Sequence, residues 1–313
     1  MPFAEGIVDA LDPMRLRLLV EVGRRGSISA AADVCRIGQP SATKQLKTLE
    51  AAVGATLVER AGRASRLTEA GRLVALHGQR VLDTLEGLQE ELRALEGAER
   101  GTLVLAASTT PGSYVLPSIL RCFADRHPGV DVDVVIGASA WVADRVAARD
   151  VSLGIAGELD LPDGVIAEPF LEDELVGIAA PGRLRVRRGR VAASAIASET
   201  VLVREPGSST RRVAERHLAR AGFHPAKRWE LDSNEAIKRS VAAGLGIGFV
   251  SRMVAEDEIG RGELAGFRIE GAPPMRRTVY LLRPDAREPV PAERAFIETL
   301  CSCCGVSVAG CVV

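Results

Sequence analysis

The sequence lacks an excess of charge of either sign and lacks any long apolar run. Its 313 residues carry 40 Lys and Arg against 41 Asp and Glu, a formal net charge of −1, so bulk electrostatics argues neither for nor against a nucleic-acid partner. No run reaches the roughly 18 apolar residues of a membrane span. The opening MPFAEGIVDALDP has neither the basic segment nor the apolar core of a secretory signal. We therefore expect a cytoplasmic protein.

Residues that commonly perform catalysis or bind metals are also scarce. The four histidines, at positions 77, 127, 217 and 224, are scattered. They form no Ser/His/Asp, Cys/His or zinc-type spacing with other residues. The segment GLGIGF (244–249) lies between a predicted helix and a predicted strand, which is the wrong order for a dinucleotide site. We predict no enzymatic activity, no metal and no cofactor.

The cysteines are concentrated at the end of the chain. Four of the six lie in the tail CSCCGVSVAGCVV, residues 301–313. This tail has no histidine or second ligand pair at zinc spacing, and chain ends are often poorly ordered. We predict that 301–313 is disordered and without function, and that Cys35 and Cys122 are isolated buried residues.

The first 70 residues begin with short helices that have clear start and stop signals. Asp12 and Pro13 form an N-cap followed by a proline in the first turn. Gly26 ends this helix, and Ser27 or Ser29 begins a second one. The pattern predicts a pair of short helices separated by a tight turn.

A third helix follows the break at Gly38 and contains Pro40 in its first turn. Its apolar residues recur at spacings of four, three and four, which places them on one buried face. They are Ala42, Leu46, Leu49 and Val53. Three short helices with a glycine-containing turn before the third predict a helix-turn-helix unit.

The segment GATLVERAGRASRLT (54–68) predicts a two-stranded wing that carries positive charge. Thr68 then caps a helix that extends to about Leu95. Its apolar residues form a heptad seam, which predicts a partner helix: Val74, Gly78, Val81, Leu85, Leu88, Leu92 and Leu95. The alternative is that this seam packs against its own chain. We predict a winged helix-turn-helix domain at 1–70 and a linker and dimerisation helix at 71–98.

Beyond Thr102, short β-rich segments alternate with helical ones. The strands are TLVLAAS, VDVDVVIG, VSLGIAG, ELVGIAA, TVLVR, RWELD, IGFVS and TVYLLRP, and the helices begin near Pro111, Ala140, Ser208, Asn234 and Pro291. Such alternation predicts an α/β domain with largely parallel sheets. We place this domain at 99–300, with a first lobe at about 102–170 and 276–300. A second lobe covers about 171–275.

Residues 16–71 (LRLLVEVGRRGSISAAADVCRIGQPSATKQLKTLEAAVGATLVERAGRASRLTEAG) resemble the DNA-binding region of LysR-type transcriptional regulators. The segments ASTTPGSYVLPSIL, REPGSSTRR and SNEAIKRSVAAGLGIGFVS resemble the effector domain of the same family, and look most like the branch that regulates sulfur-assimilation or carbon-fixation operons. The resemblance implies a two-lobed, periplasmic-binding-protein-like effector domain and a homotetramer that bends promoter DNA. It also implies that effector binding releases part of the bend.

The chain departs from the family pattern at four positions. Leu19 and Val58 stand where the family usually has phenylalanine, which affects packing. Thr43 and Lys44 replace the usual Ser-Arg pair, which affects the preferred operator.

Two groups of residues are predicted to contact DNA. On the third helix, lysine can donate to guanine and glutamine can pair with adenine in the major groove. Arginines on the wing and hydroxyls nearby are suited to phosphates. On its own, a charged helical face is usually only solvated, but the context and the resemblance favour DNA. The predicted DNA-binding residues are Ser27, Ser29, Gln39, Pro40, Ser41, Lys44, Gln45, Thr48, Arg60, Arg63 and Arg66.

Three junctions between a loop and a helix are rich in hydroxyl or amide side chains. The free N–H groups at a helix N-terminus can hold an anion, although plain helix capping explains any one junction equally well. Three such junctions in a two-lobed fold favour a cleft for a small anion, with Trp141 near its edge. The predicted effector-binding residues are Ser108, Thr109, Thr110, Ser139, Ser208, Ser209, Thr210 and Asn234.

The sequence thus predicts a transcriptional regulator with two kinds of partner, double-stranded promoter DNA and a small, anionic effector. Two winged domains joined through the linker helix favour a pseudo-palindromic site. A two-lobed solute-binding protein, a small enzyme of that fold and a DNA-binding protein without effector control remain as alternatives. The absent signal sequence disfavours the first, the absent catalytic cluster the second, and the large ligand-type domain the third.

Overall fold

A computed structural model describes residues 11–61, 64–95, 101–223, 225, 227–285 and 288–305. The chain divides into two compact units, Met1–Gly97 with Ala286–Val290 and Ala98–Asp285 with Pro291–Val313. The first unit contains helices α1 (Pro13–Arg25), α2 (Ile28–Val34), α3 (Gln39–Val53) and α4 (Glu69–Leu95), and strands β1 (Val58–Ala61) and β2 (Ala64–Leu67). It has the mixed helix and hairpin content that the sequence predicts for a winged helix-turn-helix.

Short-range capping fixes the ends of these helices as predicted. The Asp12 carboxylate accepts a hydrogen bond from the Met14 N–H at 2.7 Å, at the start of α1. Gly26 and Gly54 end α1 and α3 in the left-handed conformation, with φ of 63° and 73°. The Thr68 hydroxyl accepts from the Gly71 N–H at 2.9 Å and begins α4. These caps are local in sequence, so the helices begin and end where the residue pattern predicts.

The core of the first unit joins α1, α2, α3 and the base of the wing. Ala42, Leu46 and Leu49 of α3 are buried, whereas Val53 is only partly buried. Leu19 is fully buried and Val58 packs against this core, so the smaller residues at these two positions are accommodated. Cys35 is buried here as predicted, and burial raises the pKa of its thiol.

The helix α4 is 27 residues long, and its seam divides into two parts. Val74 packs on the core of the first unit, and a side chain at Gly78 would contact Leu16. Further along, the seam is open to solvent: the four residues that follow are 41–52% exposed, namely Val81, Leu85, Leu88 and Leu92. Among the described residues, about half of the surface of each of these side chains is left uncovered. Within the described ranges, no helix is both long and apolar enough to cross a membrane.

The second unit is built from strands and helices in mixed order. Its strands are β3 (Gly101–Ser108), β4 (Val130–Gly137), β5 (Leu153–Gly157), β6 (Val165–Ala179), β7 (Arg190–Val191), β8 (Thr200–Val203), β9 (Lys227–Glu230), β10 (Ile247–Ser251), β11 (Ala265–Ile269) and β12 (Met275–Pro284). Its helices are α5 (Thr109–Tyr114), α6 (Leu116–Arg126), α7 (Ser139–Ala147), α8 (Ala193–Ile196), α9 (Ser209–Arg220), α10 (Asn234–Ala242), α11 (Arg252–Gly260) and α12 (Pro291–Cys304).

The main sheet has the strand order β4-β3-β5-β12-β6-β10-β8-β9, with β11 also pairing with β6. The outer pairs are parallel, as expected, but β12 pairs antiparallel with both β5 and β6, and β10 and β11 pair antiparallel with β6. The sheet is therefore mixed rather than largely parallel. The sequence patterns also missed β7, β11, α8, α11 and the first half of β6.

Two separate groups of apolar cores define two lobes, joined by β6 and β12. In lobe I, the core contains Phe170 of β6 and Val279 of β12. In lobe II, the core contains Leu175 of β6 and Met275 of β12. The chain therefore crosses between the cores at residues 171–174 and 276–278, close to the expected crossings.

The crossing strands carry a buried ion pair. Arg277 of β12 lies opposite Asp173 of β6, and its Nε donates to the Asp173 carboxylate at 2.8 Å. Both side chains are almost fully buried, with 2% and 1% exposed. The Ser251 hydroxyl donates to the same carboxylate at 2.7 Å, and Arg277 Nη1 donates to the Thr210 hydroxyl at 2.9 Å. This network connects both crossing strands with two elements of lobe II.

The structure differs from prediction at the Cys-rich tail. Helix α12 continues to Cys304, and Cys301 is buried in the core of lobe I. The neighbouring Cys122 thiol raises the pKa of Cys303, so Cys122 is not isolated, and it is only partly buried. Helical periodicity continues past residue 300 and turns Cys301 inward. Residues 306–313 lie outside the described part of the chain.

Candidate functional sites

Helix α3 presents a polar face of small and long side chains to solvent. With its apolar residues turned inward, Gln39, Pro40, Ser41, Lys44 and Thr48 are exposed. The N-terminus of α3 begins after Gly38 and has no side-chain cap. An uncapped helix N-terminus with exposed donors has the chemistry that a major-groove recognition helix requires.

Gln45 differs from its neighbours because a hydrogen bond from α1 restrains its side chain. It is half-buried, and its Oε1 accepts a hydrogen bond from Arg15 Nε at 2.7 Å. Arg15 also lies 3.4 Å from the Asp12 carboxylate. The contact restricts the side-chain conformations of Gln45 on the outer face of α3.

The remaining predicted DNA contacts fall around α3. The Ser27 hydroxyl caps α2 by accepting from the Ala30 N–H at 3.3 Å, while Ser29 is exposed. Arg66 is exposed on β2. The side chain of Arg60 and all of Arg63 lie outside the described residues. Sequence reasoning missed Arg36, which is exposed in the turn before α3 with a left-handed φ of 54°.

The eight predicted effector residues lie together between the lobes. Lobe I contributes Ser108, Thr109 and Thr110 at the carboxyl end of β3, and Ser139 after β4. Lobe II contributes Ser208, Ser209 and Thr210 after β8, and Asn234 at the start of α10. Asn234 joins the group by donating to the Thr110 hydroxyl at 3.2 Å. Clefts at the carboxyl ends of strands are the usual ligand sites of α/β sheets.

Most of these hydroxyls do not cap their helices, contrary to the simpler explanation of the pattern. Ser108 and Ser208 precede α5 and α9 but make no side-chain capping bond. Only Ser233, before α10, caps its helix, accepting from the Ala236 N–H at 3.3 Å. The Ser209 hydroxyl is buried and has no hydrogen-bond partner among the described residues. Buried hydroxyls without partners are unfavourable, so this one is available to a ligand.

Arg204 is one of two buried arginines in the cleft, and the sequence analysis missed it. It is 3% exposed and forms a two-bond contact with the Glu205 carboxylate at 2.7 and 2.8 Å. Its Nη1 donates to Asn234 Oδ1 at 2.7 Å. Its Nη2, which also bonds Glu205, donates across the cleft to the Thr109 hydroxyl at 3.2 Å. A signal for it existed in TVLVR, where a charged residue ends a strand immediately before a hydroxyl-rich junction.

Arg277 closes the base of the cleft and was also missed. Burial lowers the pKa of its guanidinium, and the charge and hydrogen bond of Asp173 oppose this effect. Ser209 packs so close to Gly157 that a Cβ at Gly157 would lie 2.5 Å from the Ser209 oxygen. Glycine at 157 therefore leaves room for both Ser209 and Arg277.

The cleft is nearly closed in this structure. Its enclosed volume is about 10 Å³, which is room for about one water molecule. Hydrogen bonds cross it from Arg204 to Thr109 and from Asn234 to Thr110. A metabolite can enter only if the lobes separate or these side chains move.

A second cavity in lobe II is larger and more apolar. It has a volume of about 210 Å³ and lies between β8 and α9, with Val201, Leu218, Phe223 and Phe249 in its lining. It shares Arg204 and Thr210 with the lining of the cleft. Its further arginines, Arg211 and Arg228, both pair with Glu215, so the cleft is the better candidate for a small anion despite its smaller volume. In the described part of the chain, no group of three or more His, Cys, Asp or Glu residues is placed to hold a metal.

Both units match known sequence families. Residues 14–72 match the bacterial regulatory helix-turn-helix protein of the lysR family, and residues 96–302 match the LysR substrate binding domain. The chain belongs to the LysR family of transcriptional regulators. The resemblance noted from sequence is therefore confirmed, as is the combination of a helix-turn-helix with a two-lobed effector domain. This LysR-type chain is a regulator and not an enzyme, in agreement with its named relatives.

Relatives of this LysR-type regulator include proteins that control carbon-fixation operons. The RuBisCO operon transcriptional regulator of Acidithiobacillus ferrooxidans is 32% identical over 286 residues, covering 91% of this chain and 92% of that protein. A solved structure of full-length OxyR from Pseudomonas aeruginosa covers 96% of both chains with a TM-score of 0.69 at 20% identity, which supports the fold alone. The regulatory domain of Synechocystis PCC6803 CcmR, solved in complex with 2-PG, is 28% identical, with a TM-score of 0.60. It covers 66% of this chain and 98% of that domain.

Proposed function

We propose that this regulator acts in the cytoplasm and binds promoter DNA through α3 and the wing, under the control of a small anionic metabolite held between the two lobes. The observation that carries the effector assignment is the cleft itself. Uncapped hydroxyls, the unpartnered Ser209 oxygen and two buried arginines face one small space. Donors outnumber acceptors there, and acceptor-rich anions are the ligands that such a site stabilises.

The two buried arginines of the cleft already have carboxylate partners. Glu205 pairs with Arg204, and Asp173 pairs with Arg277, so the two guanidinium charges are already compensated. Attraction must then come from hydroxyl and backbone N–H donors at the helix N-termini. A small phosphorylated or carboxylated metabolite fits this chemistry. The similarity to the CcmR domain solved with 2-PG, together with the carbon-fixation relatives, supports a phosphorylated carboxylate as the first candidate.

Calorimetric titration tests the effector class. The wild-type protein is titrated with 2-phosphoglycolate, phosphorylated sugars, sulfate, sulfite and thiosulfate, and one class of phosphorylated anion is expected to bind. Ser209→Ala is expected to weaken that binding about 10- to 150-fold, because a hydrogen bond to a charged group contributes about 1.5–3 kcal/mol. Ser118→Ala, on the exposed surface of α6, is the matched control.

The melting temperature of the ligand-free variant distinguishes a ligand-binding role of Ser209 from a purely structural one. A purely structural role for Ser209 predicts a lower melting temperature in Ser209→Ala without ligand. A ligand-binding role predicts an equal or slightly higher one, because the substitution removes a buried hydroxyl that has no partner. A loss of stability with unchanged affinity would show that Ser209 does not bind the effector.

Footprinting and fluorescence anisotropy on the promoter upstream of the gene test the DNA assignment. Lys44→Ala is expected to weaken binding to the operator and to relax base preference at one position, since a lysine contact with guanine is sequence-specific. Lys227→Ala removes the same charge from an exposed position in lobe II and serves as the control. Equal affinities for both variants would mean that α3 is a solvent-exposed helix and does not recognise the operator.

We further propose that α4 joins two chains through the exposed half of its seam. Leu85, Leu88 and Leu92 are too exposed to be stabilised by their own chain. A heptad seam of this kind is buried when two helices pair. The resulting pair of winged domains would bind a pseudo-palindromic site, because operator symmetry mirrors protein symmetry. A dimer of such dimers is the assembly that the family resemblance implies.

A further inference from the structure

Lobe II carries a dense group of arginines that the effector cleft does not use. Residues 183–190 contain five arginines in the sequence RLRVRRGR. Arg183 is committed to a salt bridge with Glu199 at 2.7 Å. The other four form what we call the basic hairpin: Arg185, Arg187, Arg188 and Arg190.

The basic hairpin is built by a tight turn that displays its side chains. Arg187 and Arg190 exchange backbone hydrogen bonds of 2.9 Å in both directions. Between them, Arg188 and Gly189 both have positive φ, of 50° and 72°. Two positive-φ residues form a type I′ hairpin loop, whose first position ordinarily favours asparagine, aspartate or glycine. Arginine occupies that position here despite its poorer conformational fit.

The four guanidinium groups lack acidic partners, which sets them apart from most arginines in this chain. All four residues are exposed, and none has an ion pair or a side-chain hydrogen bond within the described ranges. Nearby, Arg252 and Arg268 share Glu174. Glu270 is the only acidic residue lining the hollow that the hairpin borders in the described structure. A chain with a net charge of −1 therefore concentrates uncompensated positive charge at one place.

The chemistry of the surrounding surface identifies the kind of partner. The hollow measures about 1000 Å³ and is lined by the four arginines with Ala192, Ala195 and Glu270. It contains no aromatic, leucine or methionine side chain, whereas protein interfaces depend on such apolar anchors. Guanidinium groups on an open polar surface are matched to phosphates spaced along a backbone.

We propose that the basic hairpin is a second DNA-contacting surface, which binds phosphates of the promoter independently of sequence. This proposal rests on the proposed DNA binding by α3, to which it adds a contact from the effector domain. Contacts of this kind contribute affinity and salt dependence but no base preference. They would also make DNA binding sensitive to movement of lobe II.

The test compares two four-fold variants of the full-length protein in anisotropy titrations against promoter DNA. In the hairpin variant, Arg188 is replaced by asparagine, which tolerates the left-handed conformation, and the other three by glutamine. The control variant removes the same charge from exposed arginines elsewhere in the second unit. Its substitutions are Arg121→Gln, Arg220→Gln, Arg239→Gln and Arg276→Gln.

Each lost phosphate contact is expected to reduce the slope of log K against log salt by about one. We expect the hairpin variant to lose about two to four units of slope and at least about tenfold in affinity at low salt, which corresponds to about 1.4 kcal/mol. The control variant is expected to stay within about twofold of wild type. Base preference at the operator is expected to be unchanged in both.

Other outcomes would overturn the proposal in distinguishable ways. Equal losses in both variants would mean that only net charge matters. Unchanged DNA binding by the hairpin variant, with reduced transcription in a purified system, would assign the surface to an acidic protein instead. Lys44→Ala is titrated in parallel: if it weakens operator binding while the hairpin variant does not, only the hairpin proposal fails. If the hairpin variant alone weakens binding, the assignment of α3 fails instead.

Discussion

Removal of Arg277 from the crossing strands is expected to destabilise the effector domain severely. In Arg277→Met, the Asp173 carboxylate stays buried and keeps only the hydrogen bond from Ser251. Breaking a buried ion pair from one side costs about 3–5 kcal/mol. For a domain of this size, each 1 kcal/mol lowers the melting temperature by about 2–4 °C. The effector-domain transition in calorimetry should therefore fall by roughly 6–20 °C.

Removal of both charges separates the electrostatic contribution from simple packing. Asp173→Leu alone leaves the Arg277 guanidinium buried without its counterion and should be equally harmful. The double variant removes both charges and should regain most of the loss, because apolar replacement of a buried pair is often neutral. Thr210 and Ser251 each lose a partner, so the double variant should remain about 1–2 kcal/mol below wild type.

The double-mutant cycle gives a result that can refute this reasoning. These values imply a coupling free energy of at least about 4 kcal/mol between the two positions, above the roughly 0.5–3 kcal/mol that is usual for residues in direct contact. Additive effects would show that the pair is not electrostatically coupled, whatever its geometry. The double variant should also lose effector affinity, because Arg277 borders the cleft. A folded double variant with an unchanged ligand titration would remove Arg277 from the effector site.

Three other perturbations have expected outcomes. Leu88→Lys places a charge in the exposed half of the α4 seam, so sedimentation velocity should show dissociation without loss of the monomer's fold; an unchanged mass would exclude the seam as an interface. Gly71→Ala places a Cβ 2.0 Å from the Leu57 carbonyl oxygen and should lower the stability of the winged domain by about 1–3 kcal/mol, measured by thermal unfolding. A hydrogen bond from Arg216 lowers the pKa of Glu158 below 4.5; its stabilisation is therefore complete above that value and is lost as pH falls through the folded-state pKa. Thermal scans between about pH 3 and pH 6 should show a weaker acid dependence in Glu158→Gln than in wild type.

The first unit could be predicted almost completely because its determinants are local. Asp12, Gly26 and Thr68 lie within a few residues of the backbone groups that they cap. The inward face of α3 follows from spacing alone. Local signals also identified the hydroxyl-rich junctions of the effector domain, each of which lies at the end of a strand. Their convergence at one cleft was predicted only because the family resemblance supplied the two-lobed fold.

What the sequence could not provide depends on contacts between distant residues. The antiparallel pairing of β6 with β12 joins segments about a hundred residues apart, and no local pattern encodes its direction. From the sequence alone, Arg277 resembles an ordinary strand residue. Its ion pair becomes evident only when the structure shows Asp173 opposite it. In MRRTVYLL, however, Met275, Arg277 and Val279 alternate on the buried face, and an arginine in that register signals a buried partner. The inward turn of Cys301 was missed because the tail was interpreted by composition rather than by continued helical period.

The closed cleft determines how an effector could control the protein. A ligand shifts the lobes only if its affinity differs between their arrangements. In the closed state, the Thr109 and Thr110 hydroxyls accept bonds from Arg204 and Asn234 across a space that holds about one water. Two neutral or singly charged hydrogen bonds of this kind contribute about 1–3 kcal/mol together, which is the range of typical allosteric coupling free energies.

An anion entering the cleft must replace those cross-lobe bonds with bonds of its own. In the proposed site, Arg204 and Asn234 would then donate to the ligand instead of to lobe I, while Thr109, Thr110 and the Ser209 hydroxyl would become donors to it. A bond from Asn234 to a charged acceptor is about twice as strong as the neutral bond to Thr110 that it replaces. This exchange requires that the lobes separate or that these side chains move. We infer that effector binding would therefore break both cross-lobe contacts, and that the strength of the two threonine contacts sets how much ligand is required.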